Sequence, residues 1–165
     1  MPRTPVLHQI SLLGAIPHVI LLALLIGAGS YWLPEYGTIF GVGIFLLLRM
    51  SLRTIARDHR IGMKLVRRQF FEDAIPHFLR SFDFFDRRRW LDEYRAITLL
   101  SPSAISYREM ALVNAAFCYS QMEDGGNARK YYEQCLALFP DSGMATSALR
   151  MMQAGENAGV KDKTA

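Results

Sequence analysis

Between Ile10 and Met50 the chain has almost no charge: Glu35 and Arg49 are the only side chains of full charge in that stretch. A surface without charge is not a surface for water, so this part cannot be an ordinary exposed segment. Cysteine is scarce as well, with only Cys118 and Cys135 and no CxxC spacing, which excludes a cysteine-based zinc site. Both lie inside helical patterns and read as small apolar core residues kept reduced. Alternation at period two is absent, so the sequence offers no strands. A glycine-rich phosphate loop, HExxH and GxSxG are all missing, and the four histidines (His8, His18, His59, His77) are scattered. No catalytic residue, metal site or cofactor is expected. The acid pairs Glu72-Asp73 and Asp92-Glu93 are adjacent and point to different sides of a helix. The Arg87-Arg88-Arg89-Trp90 cluster stands beside Asp83, Asp86 and Asp92, which reads as surface ion pairing and not as nucleic-acid binding.

What the chain does have is a sharp break in composition near residue 50. Ile10 to Ser30 is an apolar run long enough, at about 1.5 Å per residue, to cross a bilayer core of about 30 Å. Tyr31 and Trp32 follow as interfacial aromatics, and Pro34-Glu35 make a polar turn. Tyr36 to Met50 is a second apolar run. The expected spans are about 10–30 and 34–52, a transmembrane hairpin occupying residues 1–50. A cleaved signal peptide ending near Ala28-Gly29-Ser30 is the alternative for the first run, although that run is longer than a signal peptide needs and Arg3 is its only leading charge. Gly37-x-x-x-Gly41 and Ala23-x-x-x-Gly27 offer small faces for close helix packing. His18, inside the first span, reads as a packed neutral histidine or an intramembrane functional group.

Charge fixes the expected orientation. The turn has no Lys or Arg. Arg49, Arg53, Arg57, Arg60, Lys64, Arg67 and Arg68 stand against the single acid Asp58, and this stretch carries more positive charge than the whole-chain excess of +4. The positive-inside rule then keeps the soluble part cytoplasmic, at a plasma or bacterial inner membrane. Steps of three and four place the basic residues on one side of a helix. Its first part (Arg49, Arg53, Arg57) would face an anionic lipid surface. A continuous Arg49–Arg68 helix would hold the soluble domain near the membrane.

Residues 51–153 show helical periodicity throughout. Phe71, Ala74, Ile75, Phe78, Phe82 and Phe85 form one largely aromatic stripe. Ser103 is the expected N-cap of a helix reaching Met122, and Asn127 that of the next, which ends at Phe139-Pro140. A capping helix is expected over 142–153, with Leu149 and Met152 facing in, and a disordered tail over 154–165.

Within this domain, Leu112-x-x-Ala115-Ala116-x-x-Tyr119, then Ala128-x-x-x-Tyr132, then Pro140 follow the tetratricopeptide spacing. Ile61-Gly62-x-x-Leu65 and Ala74-x-x-x-Phe78 repeat it 54 positions earlier. The expected repeats cover about 55–88 and 109–142, with an inserted helix at 90–100. The chain is similar to small membrane-anchored tetratricopeptide-repeat (TPR) proteins of bacteria, chiefly through Ser106–Leu112 and Ala116–Gln121. That resemblance implies an all-α, TPR-like α-solenoid that binds a protein or peptide partner and has no enzymatic activity. It places the binding groove on Met110, Val113, Asn114, Phe117 and Gln121 of the better repeat, and on His59, Met63 and Arg67 of the weaker one. Core packing is the other reading of Met110, Val113 and Phe117. Two repeats leave ends that an added helix, a second copy of the chain or a partner would have to cover.

Overall fold

The computed structural model describes residues 12–101 and 103–163. Among them the chain is all-helical, with nine helices: α1 (Leu12–Trp32), α2 (Gly37–Ile55), α3 (Arg57–Arg67), α4 (Phe71–Arg87), α5 (Arg89–Glu93), α6 (Arg95–Thr98), α7 (Tyr107–Gln121), α8 (Gly125–Leu138) and α9 (Gly143–Lys163). They fall into two compact units. One comprises Met1–Arg57 and Arg87–Ser106, the other Asp58–Asp86 and Tyr107–Ala165.

In the first unit α1 and α2 form a tight hairpin. Both are long and apolar enough to cross a membrane. Their outer faces are exposed and apolar, with Ile16, Val19, Ile20, Leu24, Ile39, Phe40, Ile44 and Leu47 turned outward. Glycines set the approach of the two backbones. A Cβ on Gly29 would lie 2.5 Å from the Gly37 carbonyl oxygen, and one on Gly37 would overlap the Gly29–Ser30 backbone. A Cβ on Gly41 would lie 2.7 Å from the Leu25 carbonyl oxygen. The expected Gly37/Gly41 face is therefore in use. The expected Ala23/Gly27 face is corrected: both residues are exposed, Gly27 has open space around it, and Gly29 meets α2 instead. The helix also starts well before Pro17 and runs through it. Ile10 and Arg3, used above to delimit the first span, lie outside the described residues.

The inserted helix expected over 90–100 is two short helices broken at Tyr94, and it joins the hairpin unit because α6 packs on α1. Arg95 holds the break and the following loop together. Its Nε donates to the Ser103 carbonyl oxygen at 2.9 Å, Nη1 to that of Asp92 at 3.0 Å and Nη2 to that of Ala104 at 2.6 Å. Ser103 is thereby a buried loop residue and not an N-cap, and α7 begins only at Tyr107.

The second unit contains two helical hairpins, α3–α4 and α7–α8, with α9 packed on α8. Both hairpins turn in the same way. Gln69 (φ 65°) and Glu123 (φ 61°) are left-handed although neither is glycine. After α3 the Phe70 amide donates to Leu65 O and that of Gln69 to Val66 O; after α7 the Asp124 amide donates to Tyr119 O and that of Glu123 to Ser120 O. Each is a Schellman closure, which satisfies the last carbonyls of the first helix and aims the chain back along it. The cap of α8 is Asp124, whose side chain accepts from the Asn127 amide at 3.0 Å; the expectation of Asn127 as the cap is thus corrected. Asp124 wins because it stands three residues before a donor that its carboxylate can reach.

Two adjoining cores result. Val66, Ala74, Ile75, Phe78, Ala115 and Cys118 bring α3, α4 and α7 together. Leu112, Ala116, Ala128, Tyr132, Cys135 and Ala145 unite α7, α8 and α9, with Leu149 and Met152 packed against them. Small residues again permit the crossings: a Cβ on Gly62 would meet the Phe78 ring at 2.9 Å. Tyr132 is buried in the second core, and Tyr119, packed against that core, stacks on Tyr131 (5.4 Å). The helix expected to stop at Gln153 continues to Lys163, which corrects the expected disordered tail up to that residue. Alanine, glutamate and lysine favour helix there, and Arg129 Nη2 reaches Glu156 Oε1 at 2.6 Å.

Candidate functional site

The eight residues expected to line a groove lie on α3 and α7, and the fold places these helices side by side through the first core. His59 and Met110 are buried. His59 stands edge-on to Phe78 (5.6 Å) and Tyr107 (5.3 Å), and Tyr107 in turn stacks on Phe85 at 4.8 Å. Met63, Val113, Asn114 and Phe117 are half-buried, while Arg67 and Gln121 are exposed. Asn114 and Met63 meet directly, with Asn114 Nδ2 donating to Met63 Sδ at 3.4 Å. Phe117 makes an edge contact with Phe71 at 6.1 Å. Val113 packs against the second core, so the patch across α3 and α7 is Met63 and Arg67 from one hairpin with Asn114, Phe117 and Gln121 from the other. It offers polarizable and aromatic surface beside one cation and two amides, a mixture suited to hydrophobic anchors on a peptide or helix.

Polar groups missed by local pattern reading fix how these helices sit. Asp58, on α3, receives His77 Nδ1 at 2.8 Å and Arg80 Nε at 3.3 Å, both from α4. With Nδ1 donating to the carboxylate, the close approach of Arg80 Nη2 to the same nitrogen (2.9 Å) is a contact and not a second hydrogen bond. Burial pushes the Asp58 carboxyl up, but the hydrogen bonds and charge of His77 and Arg80 outweigh it and hold it below the ordinary range. A carboxylate lowered in the folded state stabilises the fold above its unfolded pKa of about 3.9. That stabilisation disappears as pH falls from there through the folded value. Asp58→Asn should flatten the stability profile across this acidic window and cost no more than about 1 kcal/mol at neutral pH, since the groups are partly solvated. Thermal unfolding of the full chain at stepped pH measures it.

At the other end of the second unit, Arg108 is nearly enclosed. Its Nη2 lies 2.7 Å from Asp86 Oδ1, and its guanidinium sits 5.3 Å from the centre of the Phe139 ring. One cation thus ties the end of α4 to the start of α7 and the end of α8. The two cysteines are wholly buried. Burial pushes the Cys118 thiol up to about 12 and that of Cys135 up to about 11, so both stay protonated and unreactive.

The expected lipid-facing residues Arg49, Arg53 and Arg57 are all exposed. The single stripe from Arg49 to Arg67 is corrected, however. Helical geometry is lost at Ala56 (φ −92°, ψ 30°), just after Thr54, whose hydroxyl donates to the Ser51 carbonyl at 2.7 Å. Arg49 and Arg53 share one side of α2, and Arg57 opens the next helix. In the hairpin, His18 is buried and neither ring nitrogen has a hydrogen-bond partner among the described residues. Among the described residues no three His, Cys, Asp or Glu side chains group as metal ligands.

Comparison with known proteins finds no matching family, no matching curated protein and no matching solved structure.

Proposed function

We propose that this chain is a membrane-anchored protein–protein interaction module, an adaptor whose TPR-like helical unit faces the cytoplasm. The observation that carries the anchor is the exposed apolar outer face of the α1–α2 hairpin. Water would not tolerate so continuous a face, and lipid would. Arg49 and Arg53 at the end of α2, opposite a turn without Lys or Arg, favour a cytoplasmic position for everything that follows. The TPR-like reading draws support from the recurrence, 54 positions apart, of the left-handed turn residue (Gln69, Glu123), the buried alanine (Ala74, Ala128) and the buried ring (Phe78, Tyr132). Met63, Arg67, Asn114, Phe117 and Gln121 are then the residues offered to the partner.

His18 favours a second reading, a structural or assembly subunit of a larger membrane complex that uses the hairpin as its main interface. A buried imidazole with two unpartnered nitrogens is costly in lipid, and a neighbouring helix could supply the missing bond. Site-specific photo-crosslinking in cells separates the two. The adaptor gives protein adducts from positions 67 and 121 of the full chain. The subunit gives them from Val19 and Ile44 on the hairpin, and adducts confined to those two positions would refute the adaptor.

A further inference from the structure

Within the Arg87–Thr98 segment Asp92 is 2% exposed and Arg95 is spent on three carbonyl oxygens. Trp90, Tyr94 and Ile97 point outward, at 58%, 62% and 67% exposure. They stand at steps of four and three along the α5–α6 pair, each more than half exposed on either side of the break at Tyr94. Arg87, Arg88 and Arg89 precede them, all at the surface. Tryptophan and tyrosine beside arginine is the composition of a membrane interface.

Position agrees with composition. This segment packs through α6 on α1, one of the two helices apolar enough to span. Between the end of α2 and Arg87 the chain offers only α3 and α4, both too charged to cross. Residues 87–106 therefore approach α1 from the side of the bilayer where α2 ends, the side that also carries Arg49 and Arg53.

Resting on the two-span reading, we propose that Arg87–Thr98 is a second attachment to the bilayer. Trp90, Tyr94 and Ile97 sit in the headgroup layer of the cytoplasmic leaflet, with Arg87–Arg89 on anionic lipid. The occupant of this apolar face is thus the lipid surface and not a protein. The attachment fixes the short helices at both ends, through α1 and through lipid.

The test uses the full chain with Trp32→Phe, which leaves Trp90 as its single tryptophan. It is reconstituted into vesicles of phosphatidylcholine mixed with phosphatidylglycerol, and into phosphatidylcholine alone. In the anionic vesicles Trp90 fluorescence should be quenched by headgroup-labelled lipid and largely protected from iodide placed on both sides. Changing Arg87, Arg88 and Arg89 to glutamine should weaken docking by up to about a hundredfold, a ceiling of about fivefold for each arginine, and return Trp90 to iodide. Iodide protection should also weaken in phosphatidylcholine alone, a comparison that needs no substitution in the segment. Equal iodide quenching in both vesicles, or protection from iodide without quenching by labelled lipid, overturns the proposal. Alkaline extraction and the companion variant Trp90→Phe identify which reading has failed. A chain stripped off by alkali refutes the spans and the attachment together. A chain that is retained, with Trp32 quenched by lipid and Trp90 open to iodide, refutes the attachment alone.

Discussion

Phe78→Ala should destabilise the second unit by about 4 kcal/mol, a large fraction of the 5–15 kcal/mol that holds a typical domain folded. Phe78 is fully buried and stands where α3, α4 and α7 meet. Its ring lies against His59 and under Gly62, so no neighbouring side chain is free to collapse into the space it would leave. The cost is therefore the lost transfer energy plus that of a cavity. Cys118 reports it, because this thiol lies in the same core and is protonated, buried and unreactive until the core opens. A change of 4 kcal/mol should speed the labelling of Cys118 by a thiol reagent about a thousandfold when labelling follows the open population. Cys135, in the adjoining core, shows how far the opening spreads. A Cys118 rate unchanged by Phe78→Ala would mean that this core is not packed as described.

The second large effect is positional. Alanine at Gly29, Gly37 or Gly41 should each cost the hairpin about 1–3 kcal/mol, because the new methyl group meets backbone that cannot move aside without parting the helices. Alanine at Gly27 or Gly43 should be neutral or stabilise by up to about 1 kcal/mol, because those positions have open space and alanine suits a helix better. Leucine at Gly41 should exceed the alanine penalty. Melting of the full chain in detergent, followed through helical circular dichroism, ranks the five positions. Equal losses at Gly27 and Gly41 would contradict the packing. The contrast is strong because all five glycines lie on the same two helices and have the same intrinsic propensity.

Local pattern carried most of the architecture. Charge depletion marked α1 and α2, spacing marked α3, α4, α7 and α8, and the turn residues fell close to where the helices end. What the pattern could not carry is interaction at a distance. In the sequence Asp58 stands out only as the single acid of a basic stretch, yet it links α3 to α4 through partners 19 and 22 residues away. Ala23/Gly27 and Gly29 are equally small, and only the rotation of α1 against α2 decides which of them meets α2. The break at Tyr94 depends on Arg95 reaching carbonyls eight and nine residues ahead. Of the candidate face, the family resemblance pointed to Met63, Asn114 and Phe117, which lie on touching helices. Spacing could not tell that His59 and Met110 turn inward, because helical period alone does not say which flank a third helix will cover.

If α1 and α2 cross the membrane, the basic end of α2 fixes the side, and the patch on α3 and α7 is presented to whatever the cytoplasm supplies. The most direct measurement is cysteine accessibility in intact cells. Glu35 and Lys130 are both exposed, so a cysteine at either position labels readily wherever a reagent can reach it, while Cys118 and Cys135 stay silent in their cores. The account predicts that a membrane-impermeant maleimide labels position 35 in intact cells, and position 130 only after permeabilisation. Labelling at 130 from outside, or at 35 only after permeabilisation, would contradict it.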